Sequence, residues 1–356
     1  MTDIIVIGGG IAGLSAAARL SEGAAVLVLE AEQGLGYHAS GRSAALFEAL
    51  YGLPPVVALN KASADFHQPY LTPRGLLLVA GDGDAEQFET DCKSLQTKEI
   101  GVVEARHLVP ILASDTVKQA AYHEAAFDID TDRMLQDFAG VVRKSGGQVL
   151  TSKKVSAITF SSGTWIVTCG AETFVAPTVV NAAGAWADGM AVMAGIDPIG
   201  LIPHRRSMAR LPAPGGHDVS RWPMFMGAGE TWYAKPDAGK LLVSPADEDP
   251  VEPQDAWADD LVLAEGIARY EACVTETVDR VETNWAGLRT FAPDRVLVLG
   301  RDPVTPEFVW CAGQGGYGFQ TAPAASRLLS DLVLGRSPEL AADTVAAVSP
   351  ARFYKG

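Results

Sequence analysis

The chain has 356 residues, with 28 basic and 43 acidic side chains and a formal net charge of −15. At about 150 residues per domain the length predicts two domains or one large α/β unit. A hydrophobic content of 48% excludes a disordered chain, and the acidic balance argues against nucleic acid or an anionic membrane surface as a partner.

No apolar run approaches the ~20 residues of a membrane helix. Asp3 stands before the first apolar run, so no signal peptide is expected. Cys92, Cys169, Cys273 and Cys311 are scattered and form no C-x-x-C pair. Neither a disulfide framework nor a zinc site is expected, and His38, His107 and His204 are not in metal spacing. These features point to a reduced, cytoplasmic protein with no metal.

In chain order, Ile4-Ile5-Val6-Ile7 reads as a strand buried on both faces. Gly8-Gly9-Gly10-Ile11-Ala12-Gly13 follows at once, then a helical run from Leu14 to Leu20. Ala25 to Leu29 is a second buried strand ending at Glu30. Gly34 to Ala45 is a Gly- and Ser-rich loop. Helices are expected over 56–69, 84–97 and 133–144, the last with Asp132 as N-cap. Gly75 to Ala80 reads as a strand.

Lys154 to Phe160, Thr164 to Cys169 and Thr173 to Ala176 form a predicted antiparallel meander. Val179-Val180-Asn181 is another buried strand, and an Ala/Met-rich helix follows Trp186. Residues 203–250 mix strands with Pro/Gly turns, and 256–272 read as helical. Arg295 to Leu299 and Phe308 to Ala312 are strands. A helix follows from about Ala322 to Leu334, with Thr321 as N-cap and Gly335 as the stop.

The first constellation with chemistry is G-x-G-x-x-G between a buried strand and a helix. An acid, Glu30, lies 22 positions beyond Gly8. That is the context of a dinucleotide fingerprint. Gly8 permits the tight turn, Gly10 lets the backbone approach a pyrophosphate, and Gly13 permits close helix–strand packing. The helix start offers unpaired N–H groups to phosphates, and Glu30 accepts ribose hydroxyls. A nicotinamide dehydrogenase continues with further βα units of the same sheet. Here a Gly/Ser/Arg loop follows instead. The late Gly313-Gln314-Gly315-Gly316-Tyr317-Gly318 segment supplies a second backbone-lined anion site, which favours a flavin.

On these residues the chain resembles the D-amino acid oxidase-like family of FAD-dependent oxidoreductases. The matching stretches are Ile4 to Glu30, Gly41-Arg42-Ser43-Ala44-Ala45, Asn181 to Trp186 and Gly313 to Gly318. Further likeness, to the bacterial D-arginine dehydrogenases of that family, runs through Tyr51-Gly52, Pro203 to Ser207, Trp222-Pro223-Met224, Tyr233 to Gly239 and Trp285 to Arg289.

The resemblance implies an α/β fold. A Rossmann-like FAD-binding domain of the glutathione-reductase type (1–70, 130–200 and 285–356) is interleaved with an α+β substrate domain on an antiparallel sheet (71–129 and 201–284). It implies non-covalent FAD held by Gly8, Gly10, Ile11, Ala12, Gly13, Glu30, Ala31, Arg42, Ser43, Ala44, Ala45, Val155, Ala183, Gly184, Trp186, Arg289, Gly313, Gly315, Gly316, Tyr317 and Gly318. Arg206 and Arg289 match a pair that binds the substrate carboxylate, Tyr233 a tyrosine beside it, and Tyr51 an active-site tyrosine. Gly316 matches a glycine near the substrate amine, and Met224 and Met226 match pocket positions. Glu48, close to Tyr51 in sequence, is a further pocket candidate, although a solvated loop acid is the simpler reading.

Two departures bear on the substrate. Leu76 stands where the arginine-type enzymes carry a glutamate for the substrate's cationic head, and Leu46 where they carry a histidine. An apolar wall leaves a buried guanidinium unpaired, which is costly. A neutral or apolar D-amino acid is therefore the expected substrate, oxidised to an imino acid by hydride transfer to flavin N5. A glycine- or sarcosine-type secondary amino acid, a 2-hydroxy acid, or a non-catalytic flavin-binding subunit are the alternatives. The electron acceptor, oxygen or a quinone-like molecule, stays open.

Overall fold

A computed structural model describes residues 2–354. The β-branched run at the start forms the strand Ile4–Ile7, buried at every position. It pairs in parallel with Val26–Leu29 on one side and Thr178–Asn181 on the other. The full six-stranded order is Val298–Arg301, Phe308–Ala312, Thr178–Asn181, Ile4–Ile7, Val26–Leu29, Gln148–Leu150. All neighbours are parallel except the first pair. Such strands need cover on both faces. The helices Ile11–Leu20, Thr131–Lys144 and Gly318–Leu334 pack on one face, and the meander Ala157–Ser161, Thr164–Cys169, Glu172–Ala176 on the other.

The second large sheet has eight strands. Their order is Thr283–Phe291, Ile202–Leu211, Lys240–Ser244, Tyr233–Asp237, Met224–Gly227, Leu76–Ala80, Gln119–His123, Lys98–Ile100. It is antiparallel except where Met224–Gly227 runs parallel to Leu76–Ala80. The expected boundary at residue 285 falls inside Thr283–Phe291, a strand of this sheet. A small sheet pairs Ala126–Ile129 with Leu46–Glu48 on one side and Leu71–Pro73 on the other.

Three local expectations shift. The helix expected from 133 starts at Thr131, and Asp130 rather than Asp132 caps it by accepting the Arg133 N–H at 3.1 Å. Asp132 instead lies in the first turn, where an acid meets the positive helix end. The C-terminal helix starts at Gly318, with Tyr317 at the N-cap. Thr321 lies inside it, its hydroxyl donating to the Tyr317 carbonyl at 2.9 Å. Gly335 does end that helix, in the left-handed region at φ +71.

Candidate active site

The carboxyl ends of the parallel strands converge on one crevice, the position at which α/β sheets bind ligands. The loops after Ile7, Leu29, Asn181 and Ala312 all reach it. Together with one face of the eight-stranded sheet they enclose a cavity of about 560 Å³. The N-termini of Ile11–Leu20 and Gly318–Leu334 meet there, at the Gly10 and Tyr317 caps.

The glycines at one end are enforced by contact. Gly8 has φ +116, and a Cβ there would sit 2.3 Å from the Ala182 carbonyl oxygen. A Cβ on Gly13 would sit 2.0 Å from the Gly8 oxygen. Glu30 closes this end: its Oε2 accepts the Gly9 N–H at 2.6 Å and its Oε1 the Glu32 N–H at 2.8 Å. At the other end, Gly315 has φ +52, and a Cβ there would strike the Phe291 ring at 2.2 Å.

Most of the expected cofactor residues line this one cavity: Gly8, Gly10, Ile11, Ala12, Glu30, Ala31, Arg42, Ser43, Ala44, Val155, Ala183, Gly184, Trp186, Arg289, Gly315, Gly316 and Gly318. Gly13, Ala45, Gly313 and Tyr317 support its walls without lining it. Arg42 is already engaged. It donates to the carbonyls of Ala256 at 2.8 Å and Ala286 at 2.9 Å and pairs with Asp255. It therefore ties the Gly/Ser loop to the eight-stranded sheet.

The register of the eight-stranded sheet builds the far end. Arg206 lies opposite Gly287. Arg289, two residues on, projects from the same face. Tyr233 stands opposite Ser244, one strand further across. Arg206, Met208, Tyr233, Gly287 and Arg289 all line the cavity. The Tyr233 hydroxyl and the Thr290 hydroxyl are buried there without a partner.

A residue that the sequence did not single out completes this end. Glu230 lies in the turn Ala228–Glu230 at φ +52, a left-handed backbone unusual for a side chain of its size. Its Oε1 stands 2.7 Å from Arg206 Nη1 and 3.7 Å from Arg289 Nη1. The Tyr51 hydroxyl donates to its Oε2 at 2.8 Å. Burial alone would raise the Glu230 carboxyl, but the two guanidiniums outweigh it and hold it below the usual carboxylate range. The Tyr51 hydroxyl is pushed well above its ordinary value, by burial and then by Glu230. Tyr51 is thus a donor to Glu230 and is not set to take a proton. For Arg289, burial lowers the value, and Tyr51, Tyr233 and Glu230 together raise it above the usual arginine range.

Four pocket expectations need correction. Glu48 does not line the cavity and is not a solvated loop acid. It is 3% exposed, its Oε2 lies 3.0 Å from His123 Nε2, and its Oε1 accepts the Leu50 N–H. The pairing of Leu46–Glu48 with Ala126–Ile129 turns it inward, towards the strand that carries His123. Leu76, Met224 and Met226 also stay off the cavity surface. They share a buried apolar layer with Leu78 and Tyr233, beneath the site. Leu46 and Gly316 do line it.

The model of the FAD dependent oxidoreductase family, DAO, matches residues 3–332 of this chain. The chain belongs to that family. A D-amino acid dehydrogenase of Cereibacter sphaeroides is 44% identical over 57 residues, which are 16% of this chain and 13% of that protein. The fold is shared with glycine oxidase from Geobacillus kaustophilus (TM-score 0.84, 19% identity, 100% of this chain and 99% of that one). It is also shared with L-proline dehydrogenase from P. horikoshii (TM-score 0.83, 23% identity, 99% and 97%).

The cofactor of this DAO family member is FAD. The residues present fit it. Gly8 and Gly13 have no room for a side chain, and Gly10 presents bare backbone to the cavity, as a pyrophosphate contact needs. Two helix N-termini face the cavity, one of them with its Ile11 N–H donated to Ser40 Oγ at 3.0 Å. Glu30 stands at the ribose end, and the unpartnered Thr290 hydroxyl at the opposite end. Among the described residues no helix is long and apolar enough to cross a membrane.

Proposed function

We propose that this FAD-dependent oxidoreductase oxidises a neutral or apolar D-amino acid to its imino acid. The observation that carries this reading is the far end of the cavity. A guanidinium fork, Arg289, and an unpartnered hydroxyl, Tyr233, face the same space as Gly316. Such a pair suits a carboxylate. Leu46 and Met208 are apolar surfaces of the same cavity. Among the described residues the carboxylates lining the cavity are Glu30 and Glu32, at the opposite end, and Glu230 behind the arginines is already matched by two guanidiniums. A cationic side chain would be buried without a partner. The short match to a D-amino acid dehydrogenase supports the D configuration.

In this reading Arg289 and Tyr233 fix the carboxylate and so the α-carbon. Bound flavin supplies a two-electron acceptor for the α-hydrogen. The substrate loses that hydrogen with its electron pair, and the iminium so formed releases a proton to water. Tyr51 is committed to Glu230, and Glu230 is held as an anion, so the amine enters unprotonated. The imino acid then takes up water and yields an oxo acid and ammonia. The same reading counts Thr283–Phe291 with the substrate-binding part and leaves the other domain boundaries as expected. It also places the enzyme in the cytoplasm.

Anaerobic bleaching of the flavin tests it, with D- and L-amino acids and 2-hydroxy acids as the panel and air admitted afterwards. D-leucine, D-methionine or D-phenylalanine should bleach it with the highest kcat/KM. A preference for D-arginine or D-lysine would overturn the neutral-substrate reading. Bleaching by hydroxy acids alone would overturn the amine. Rapid recolouring in air identifies oxygen as an acceptor.

A further inference from the structure

We infer that Glu230 is a resident counter-ion that neutralises one of the two arginines, so that the site accepts a substrate with one carboxylate and rejects one with two. This rests on the reading of the arginine end as the carboxylate subsite.

The argument is one of charge and position. Arg206 is already engaged: Nη1 is 2.7 Å from Glu230, and Nε donates to the Asp247 carbonyl at 2.9 Å. Its contact with Glu248 is longer, 3.4 Å, and Glu248 is held by both oxygens on Arg295 at 2.9 Å. Arg289 is different. The acid facing it is Glu230, at 3.7 Å, beyond hydrogen-bonding distance. Two guanidiniums against one carboxylate leave a single positive charge, carried on Arg289 beside the Tyr233 hydroxyl. One incoming carboxylate closes that balance. A second would be buried unpaired.

Glu230 is also built to stay. The Gly229 N–H donates to Asp91 Oδ2 at 2.7 Å, which fixes the turn, and Tyr51 holds the free oxygen of the side chain. It is therefore a specificity residue acting through the net charge of the site.

The test uses flavin-loaded enzyme and two unreactive probes of equal length, propionate and malonate, with binding read from the flavin absorbance. Wild type should prefer propionate. Glu230→Gln should shift the ratio of the two Kd values towards malonate by at least about tenfold. The double variant Arg206→Gln/Glu230→Gln should return the ratio towards wild type, because the net charge is restored. Equal tightening of both probes by Glu230→Gln would mean that Glu230 competes for the subsite, and the inference falls. An unchanged ratio also overturns it. If Glu230→Gln yields no flavoprotein, Arg206→Gln alone decides: propionate should weaken by about tenfold or more, and unchanged binding overturns the inference. Binding of propionate without bleaching by any amino acid would defeat the proposed reaction and leave the inference standing. Bleaching by an amino acid without binding of either probe would defeat the inference alone.

Discussion

Arg206 and Arg289 face one oxygen of Glu230 at unequal distances, 2.7 and 3.7 Å. The asymmetry follows from the sheet. The two arginines sit on adjacent antiparallel strands, diagonal to each other across the Arg206–Gly287 pair. An acid arriving from a turn outside those strands meets one squarely and the other at an angle. The resemblance implies that the two arginines bind the substrate carboxylate as a pair. Both line the cavity, and Arg206 is the one with an acid within hydrogen-bonding distance.

Arg289→Ala should therefore raise KM for the amino acid by about 10- to 100-fold, the range for a lost hydrogen bond to a charged group. Flavin content should hold, because the phosphate-facing glycines lie at the other end of the cavity. Arg289→Lys should recover only part of the loss, since an ammonium cannot present the planar fork. Steady-state kinetics on flavin-loaded variants checks this, and an unchanged KM would remove Arg289 from the site.

The two fingerprint glycines should separate fold from cofactor. Gly13→Ala drives a methyl into the backbone at the Gly8 oxygen. It should cost about 1–3 kcal/mol of apoprotein stability, as overpacking does, and abolish flavin retention. Gly10→Ala meets only the Ser40 Oγ, at 3.1 Å, which accepts the Ile11 N–H and needs to give by a few tenths of an ångström rather than leave. It should leave apoprotein unfolding close to wild type and still weaken FAD binding. Denaturant unfolding and absorbance near ~450 nm distinguish the pair. Equal effects of both on apoprotein stability would contradict this.

What the sequence made legible was local. A buried β-branched run, three glycines and a helix are legible at 4–20 because the residue types themselves, read in order, carry the strand–turn–helix pattern, although the strand's partners lie at 26–29 and 178–181. The meander and the stop at Gly335 were legible for the same reason. Thr283–Phe291 was missed, because Gly287 and Arg289 interrupt a strand pattern and only the neighbouring strand explains them. Glu230 was missed because it sits in a Gly-rich turn, with its two arginines 24 residues before it and 59 after. Glu48 was misread from its nearness to Tyr51, since strand pairing and not sequence spacing decides which way it faces.

The cysteines should report the two layers of the fold. Cys311 is fully buried and its thiol is pushed up to about 12 by burial. Cys169 is buried too, and burial raises it. Cys92 and Cys273 are half-buried, with burial pushing Cys273 up to about 11. At about pH 8 a thiol reagent should modify Cys92 first and leave Cys169 and Cys311 untouched until the protein unfolds. Fast labelling of all four thiols in the folded protein would contradict the packing described.

Glu230 should also leave a mark on stability against pH. Its carboxyl is held below the ordinary carboxylate value of 4.5, against burial, by Arg206 and Arg289. A depressed carboxyl binds its proton less readily folded than unfolded. Its contribution is then fully present above the unfolded value and is lost as pH falls through the lower, folded one. Glu230→Gln removes that contribution at neutral pH and leaves two guanidiniums facing an amide. The loss should be about 1.5–3 kcal/mol, the range for hydrogen bonds to charged groups. The gap between wild type and variant should stay level down to about pH 5 and shrink below the unfolded value near 4.5. Denaturant unfolding at a series of pH values measures it. A gap that stays level or widens in acid would show that the two arginines do not hold Glu230 ionised.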